Sequence, residues 1–163
     1  MEMELRDYTE EDFADIYALD QRCFPPGIAY SKRMLRYFLR MPQGRCILAR
    51  DGDARASNGE ARARDGALAG FIITEEGPPV GHILTLDVAE EYRRRGVGTQ
   101  LLARSEEGLA SRGVTEIVIE TSVESAVGVA FWHGHGFLSV GVLPRYYLGK
   151  IDAYEMRKKI ARA

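Results

Sequence analysis

The sequence predicts a single domain of mixed α/β class, and three observations carry that expectation. The chain has 163 residues, the size of one domain with a substantial core. Apolar runs of strand length alternate with stretches of helical period along the whole chain. No repeat and no Pro-, Gly- or Ser-rich linker marks an internal boundary, so residues 1–163 read as one domain.

Each element has its own signal. "MELRDY" reads as a short first strand. Thr9 is placed to cap a helix opening with Glu10, Glu11 and Asp12, acids where the helix dipole favours them. Phe13, Ile16 and Tyr17 give that helix its apolar stripe. "FPPGIAY" is a rigid loop, after which Ser31 can cap a second helix carrying Met34, Leu35, Phe38 and Leu39. A strand over residues 46–49 follows. Residues 51–66, "DGDARASNGEARARDG", have no periodicity and almost no large apolar side chain, which reads as a flexible loop insertion. "ALAGFIIT" resumes the sheet, "EEGPP" turns, and "VGHILTLDV" is a long strand. Val97, Leu101, Leu102 and Leu109 mark a third helix that ends near Gly113. "EIVIET" is too apolar at its centre for an edge strand. A helix over residues 126–131 breaks at "HGHG", and "FLSVGVL" and "DAYEMRKKI" are the last two strands.

Composition narrows the function classes. A hydrophobic content of 45%, a charged content of 28% and a net charge of −2 fit a soluble globular protein. A general nucleic-acid binder would be basic across a face, so no nucleic-acid partner is expected. No apolar run has membrane-spanning length, and the start "MEMELRDYTEED" is unlike a signal peptide. The two cysteines, Cys23 and Cys46, offer neither a disulfide framework nor metal spacing, which points to a cytoplasmic protein. His133 and His135 flank Gly134 without an acidic or thiol partner, so no metal site is expected.

Against this balanced background, "YRRRGVGTQLL" stands out. Arg93, Arg94 and Arg95 sit where a helix begins, although a helix N-terminus is already positive. That arrangement suits an anion. Gly96 and Gly98 allow close backbone approach, and the first-turn N–H groups can grip a phosphate or pyrophosphate. The triphosphate loop G-x-x-x-x-G-K-[ST] is absent, and the dinucleotide pattern G-x-G-x-x-G fails after Gly98. The pattern [QR]-x-x-G-x-[GA] is met by Arg93, Gly96 and Gly98.

This stretch resembles the coenzyme A pyrophosphate loop of the GNAT superfamily of N-acetyltransferases. The resemblance extends over the order "LDV", "AEEYRRRGVG", a helix ending at "SRGV" and the strand "IVIET", and on to "AVGVAFWHGHGF". It implies a mostly antiparallel mixed sheet with splayed central strands flanked by helices. It also implies acetyl-CoA as the acetyl donor, with its thioester in the splay. The N–H groups of Arg94, Arg95, Gly96, Val97, Gly98 and Thr99 would hold the pyrophosphate. Asp87 and Val88 would pair through their backbone with the pantetheine amides, and Ser125 stands where relatives contact the cofactor with asparagine.

The chemistry needs a group that takes a proton from an ammonium, because only a neutral amine attacks. Glu120 ends the "IVIE" run facing the expected splay, at a position where N-terminal acetyltransferases carry an acid or a histidine. His82 lies on the other splayed strand and is the second candidate. The family's usual acid, a tyrosine, is replaced by Trp132, whose indole cannot release a proton at neutral pH. The ending "PRYYLGKIDAYEMRK" resembles the final hairpin of protein N-terminal acetyltransferases, including the ribosomal-protein alanine type. Tyr146 and Tyr147 match the tyrosines that reach over the substrate there, and Tyr30 is the candidate contact on the opposite wall. The expected activity is acetyl transfer, by direct attack in a ternary complex, to a protein or peptide N-terminus. A small amine (polyamine, amino acid or drug) as acceptor, or a non-catalytic acetyl-CoA-sensing module, are the other readings, in a monomer or homodimer.

Overall fold

A computed structural model describes residues 3–52 and 66–161. The elements run β1 (Met3–Asp7), α1 (Phe13–Cys23), α2 (Lys32–Arg40), β2 (Gly44–Asp51), β3 (Ala67–Gly77), β4 (Val80–Val88), α3 (Val97–Ser111), β5 (Glu116–Ser122), α4 (Ala126–Gly134), β6 (Leu138–Tyr147) and β7 (Ile151–Lys159). All strands form one seven-stranded sheet in the order β1-β2-β3-β4-β5-β7-β6. Every neighbouring pair is antiparallel except β4 and β5.

That parallel pair makes the opening. β4 and β5 are joined only at Val80↔Glu116, Gly81↔Ile117 and His82↔Val118. Beyond His82, β4 continues on β3 as far as Val88, while β5 follows β7 to Ser122. The two central strands therefore splay, as the resemblance implies.

β3 is buried without interruption from Ala69 through Thr74, as in a strand covered on both faces. One face carries α3: a Cβ added to Gly70 would lie 3.2 Å from Leu101 and 3.3 Å from Val97. Phe13, Ile16, Leu19 and Leu35 of α1 and α2 join the same continuous core.

Two glycines set the helix ends. After α3, Gly113 (φ +89°) donates to Ala110 O and Val114 N donates to Leu109 O. After α4, Gly136 (φ +91°) donates to His133 O and Phe137 N to Trp132 O, with the Trp132 and Phe137 rings 5.1 Å apart. Both are left-handed glycine caps that satisfy the last carbonyls, and the second carries the apolar contact that accompanies such caps. α4 consequently runs through His133 and Gly134 instead of stopping at residue 131; the glycine that ends it is Gly136.

Other boundaries differ from expectation. The first helix opens as a 3₁₀ turn at residues 10–12. β3 continues through Glu75, Glu76 and Gly77 because these residues pair with β4, leaving only the prolines to turn. Met34 is 48% exposed, since the buried side of the short α2 is Leu35. Asp51 belongs to β2, where it is buried and accepts from Tyr92 Oη at 2.8 Å. Apart from its ends, the expected loop insertion lies outside the described residues.

Candidate active site

The N-terminus of α3 has the form an anion site requires. Gly96 is its N-cap at φ +80°, with open space where a Cβ would stand. Arg94 also adopts a left-handed conformation, at φ +61°. The first α3 bond runs from Gln100 N to Gly96 O, so the amides of Val97, Gly98 and Thr99 have no partner within the helix. Consecutive amides in such a turn form a concavity for phosphate oxygens. Gly98 has a packing reason beside the one its motif suggests. A Cβ there would meet Phe131 at 3.2 Å and Val88 at 3.6 Å, so the glycine lets α3 pack against α4 and β4.

The arginines divide their roles. Arg93 Nε donates to Val88 O at 3.1 Å, a carbonyl that also accepts from the Cys23 thiol at 3.6 Å. The Arg95 guanidinium lies 5.7 Å from the Tyr92 ring centroid. Thr99 Oγ1 is 2.9 Å from His135 Nε2, while His135 Nδ1 lies 2.7 Å from Phe131 O. The Phe131 carbonyl can only accept, so Nδ1 carries the hydrogen and, in the neutral ring, Nε2 accepts from Thr99. Sequence reasoning weighed His135 only as a metal ligand and missed this contact with the first turn of α3.

The splay opens into a cavity of about 410 Å³ between the β4–β5 fork, the loop before α2 and the N-terminus of α4. Its walls include Tyr30, Leu84, Glu120, Ser125, Trp132 and Tyr147. Ser125 caps α4, accepting from Gly128 N at 3.1 Å and leaving its own hydrogen free to donate. Trp132 is 8% exposed and packs edge-to-face on Phe131 and Phe137, so its ring is mostly core.

The two base candidates meet. His82 Nε2 lies 2.7 Å from Glu120 Oε2, although the residues are 38 apart in sequence. A carboxylate only accepts, so the imidazole is the donor in this pair. The other oxygen, Glu120 Oε1, accepts from Tyr146 Oη at 3.2 Å, and Tyr147 Oη donates to Glu120 O at 3.4 Å. The two tyrosine rings pack edge-to-face with centroids 4.8 Å apart. Glu120 is thus fixed in direction yet remains 15% exposed.

Tyr30 closes the opposite wall. Its hydroxyl donates to Leu84 O at 3.0 Å, its N–H to Asp20 Oδ2 at 2.7 Å, and its carbonyl accepts from Gln21 Nε2 at 2.9 Å. Burial, then the neighbouring Glu120, pushes the Tyr146 phenol up to about 12. Burial raises Tyr30 and Tyr147 further. All three are therefore neutral hydrogen-bond donors at physiological pH.

Asp87 holds a surprise. Its side chain, assigned no role in sequence, is buried to 1% and accepts from Thr85 Oγ1 at 2.5 Å. Among the described residues no cluster of three metal-ligating side chains occurs, and no helix is long and apolar enough to cross a membrane.

Comparison with known proteins places these features in context. Residues 13–137 match the acetyltransferase (GNAT) family. The chain is 30% identical over 147 residues to N-alpha-acetyltransferase 30 of Schizosaccharomyces pombe, spanning 90% of this chain and 91% of that one. Among solved structures it is similar to the NatC complex bound to Gag peptide and CoA, with a TM-score of 0.82 and 25% identity over 99% of this chain and 100% of that one. The ribosomal-protein-S18-alanine N-acetyltransferase from Escherichia coli shares the fold, with a TM-score of 0.82, 21% identity and coverage of 99% and 96%.

Proposed function

Because this chain belongs to the acetyltransferase (GNAT) family, we propose that it acetylates the α-amine of a protein or peptide N-terminus, with Glu120 as general base. The enzyme is an acetyl-CoA-dependent N-acetyltransferase. The observation that carries the finer reading is Glu120, held by His82 and Tyr146 at the edge of a cavity walled by Tyr30 and Tyr147.

The residues fit the cofactor. The first-turn amides of α3, which have no partner within the helix, and the open space at Gly96 suit a pyrophosphate, and Ser125 has a hydroxyl hydrogen to offer at the cavity. Acetyl-CoA supplies an activated acetyl thioester. A substrate α-amine, with a pKa of about 7.7–8.0, arrives mostly as ammonium at neutral pH. Glu120 attracts that charge and takes its proton, directly or through a water. The His82 contact keeps the carboxylate turned toward the cavity, and the imidazole, 31% exposed, offers the proton a route to solvent. The amine nitrogen then bonds to the acetyl carbon as the carbon–sulfur bond breaks, and sulfur leaves with the electron pair. The neutral tyrosines supply hydrogen-bond donors around the substrate's first peptide groups.

The protein is read as one domain over residues 1–163 acting in the cytoplasm, in keeping with two cysteines present as free thiols. The test is turnover of acetyl-CoA with a panel of N-terminal peptides beside polyamines and free amino acids. Peptides should be acetylated with the higher kcat/KM. Turnover confined to small amines, or acetyl-CoA binding without turnover of any amine, overturns the reading.

A further inference from the structure

Two carboxyl groups outside the proton-transfer site face each other in the core. Asp20, near the end of α1, is fully buried, and Asp87, one residue before the end of β4, is 1% exposed. The two side chains are direct neighbours, each acting on the other's titration. The outward oxygens are satisfied: Tyr30 N donates to Asp20 Oδ2 at 2.7 Å and Thr85 Oγ1 to Asp87 Oδ1 at 2.5 Å. The remaining oxygens, Asp20 Oδ1 and Asp87 Oδ2, are buried and accept from no donor among the described residues. Carboxylate oxygens only accept, so a hydrogen bond between these groups needs a proton of their own. Two buried negative charges at that separation would otherwise repel in a poorly solvated site.

The surroundings reinforce this. The titratable groups nearby are the thiols of Cys23 on α1 and Cys46 on β2 and the Tyr30 phenol, all pushed up by burial, while Arg93 after β4 is the cation that favours the charged form of Asp87. Burial first, then the nearness of Asp20, raises Asp87 well above the ordinary carboxylate range.

The pair also has a consequence for the site. It joins α1 to the splayed strand β4 at the point where Tyr30 is anchored by three hydrogen bonds, to Asp20, Gln21 and Leu84. We infer that Asp20 and Asp87 share a single proton, and that this shared proton positions Tyr30 and its loop as the wall of the peptide site. Asp20 is a positioning residue: it touches no substrate and acts through Tyr30. Loss of the proton places two like charges between α1 and β4 and releases the wall. The inference rests on the peptide reading above only for its effect on KM; the clamp on Tyr30 is measurable without substrate.

The direction with pH follows. The folded pair retains a proton that unfolded aspartates release at about 3.9. Its contribution is therefore fully present below that value and is lost as pH rises through the folded value.

Asp20→Ala and Asp20→Asn separate the outcomes. In Asp20→Ala the clamp is gone: KM for the peptide should rise about tenfold, with kcat and acetyl-CoA affinity within about twofold. Hydrogen–deuterium exchange at the Tyr30 amide should lose protection. In Asp20→Asn the amide oxygen accepts from Tyr30 and the amide N–H replaces the shared proton. Peptide KM and Tyr30 protection should then match those of wild type with its shared proton in place, and the rise in KM that wild type shows as pH increases through the titration of the pair should be absent. Unchanged KM and unchanged protection in Asp20→Ala overturn the inference, as does a loss of acetyl-CoA affinity equal to the loss for peptide. If Asp20→Ala does not fold, comparison of wild type with Asp20→Asn across the full pH range over which the protein stays folded decides, and identical pH profiles refute the shared proton. Absence of peptide turnover in wild type, with Tyr30 protection behaving as stated, would refute the peptide reading and leave the clamp intact.

Discussion

Replacing Glu120 by glutamine removes a proton acceptor while leaving nearly everything else in place. The amide oxygen can still accept from Tyr146 Oη, and the amide nitrogen can donate to the other tautomer of His82. The cavity and the α3 phosphate turn do not depend on the charge. A general base is worth about 10²–10⁴ in rate, and the partial solvent access of this one favours the lower end. Glu120→Gln should therefore retain acetyl-CoA affinity and lower kcat about a hundredfold. The pH dependence is more diagnostic. With an amine pKa of about 7.7–8.0, roughly one-tenth of the substrate is neutral at pH 7 and nearly all of it at pH 9. Raising the pH should thus recover about tenfold of the loss. The assay is steady-state acetylation of an N-terminal peptide from pH 6.5 to 9, beside calorimetric titration with acetyl-CoA. If His82→Ala shows the hundredfold loss with alkaline recovery and Glu120→Gln does not, the roles of the pair are reversed.

Two other perturbations address the cofactor turn and the fold. Gly96→Asp places a negative charge in open space at the α3 N-terminus, and Asp is among the residues that tolerate a left-handed conformation. Acetyl-CoA affinity should fall by at least about tenfold while the melting temperature changes little; unchanged affinity by calorimetry would remove the phosphate assignment. Asp12 is 2% exposed and accepts two bonds at 2.8 Å from Arg6, one at 2.8 Å from Arg50 and one at 2.9 Å from Thr9 N. Burial alone would raise this carboxyl, but those donors hold it well below the usual range. Its contribution is present above about pH 3.9 and is lost as pH falls toward the folded value. Asp12→Ala should cost about 3–5 kcal/mol at pH 7, on the order of 10 °C in Tm by calorimetry. The gap from wild type should narrow below pH 4, and a gap independent of pH would refute the account of this cluster.

The features legible in sequence were local or carried by resemblance. The α3 span followed from its apolar stripe and from Gly113, both of which act within a few residues. Glu120 is a candidate because it ends an apolar strand run at a position the family resemblance marks, and His82 because it sits on the neighbouring strand. Their 2.7 Å contact depends on where β4 and β5 part, which no local pattern fixes. Gly98 carried the motif's meaning in sequence, yet its neighbours Phe131 and Val88 give it a packing reason. The Asp20–Asp87 pair was invisible: Asp20 read as a polar helix residue, and its partner lies across the core on β4. The end of α4 was misplaced because Gly134 and Gly136 look alike until the cap at Trp132 and Phe137 selects one.

A peptide carrying both a free N-terminus and an internal lysine offers the protein an α-amine and an ε-amine in one molecule. The α-amine, with a pKa of about 7.7–8.0, gives up its proton to Glu120 far more readily than an ε-amine at about 10.4. Tyr30 and Tyr147 both line the cavity. Tandem mass spectrometry of the product after reaction with acetyl-CoA should locate the acetyl group on the α-nitrogen, with the lysine unmodified. Acetylation predominantly on the lysine, with the N-terminus left free, would contradict the account.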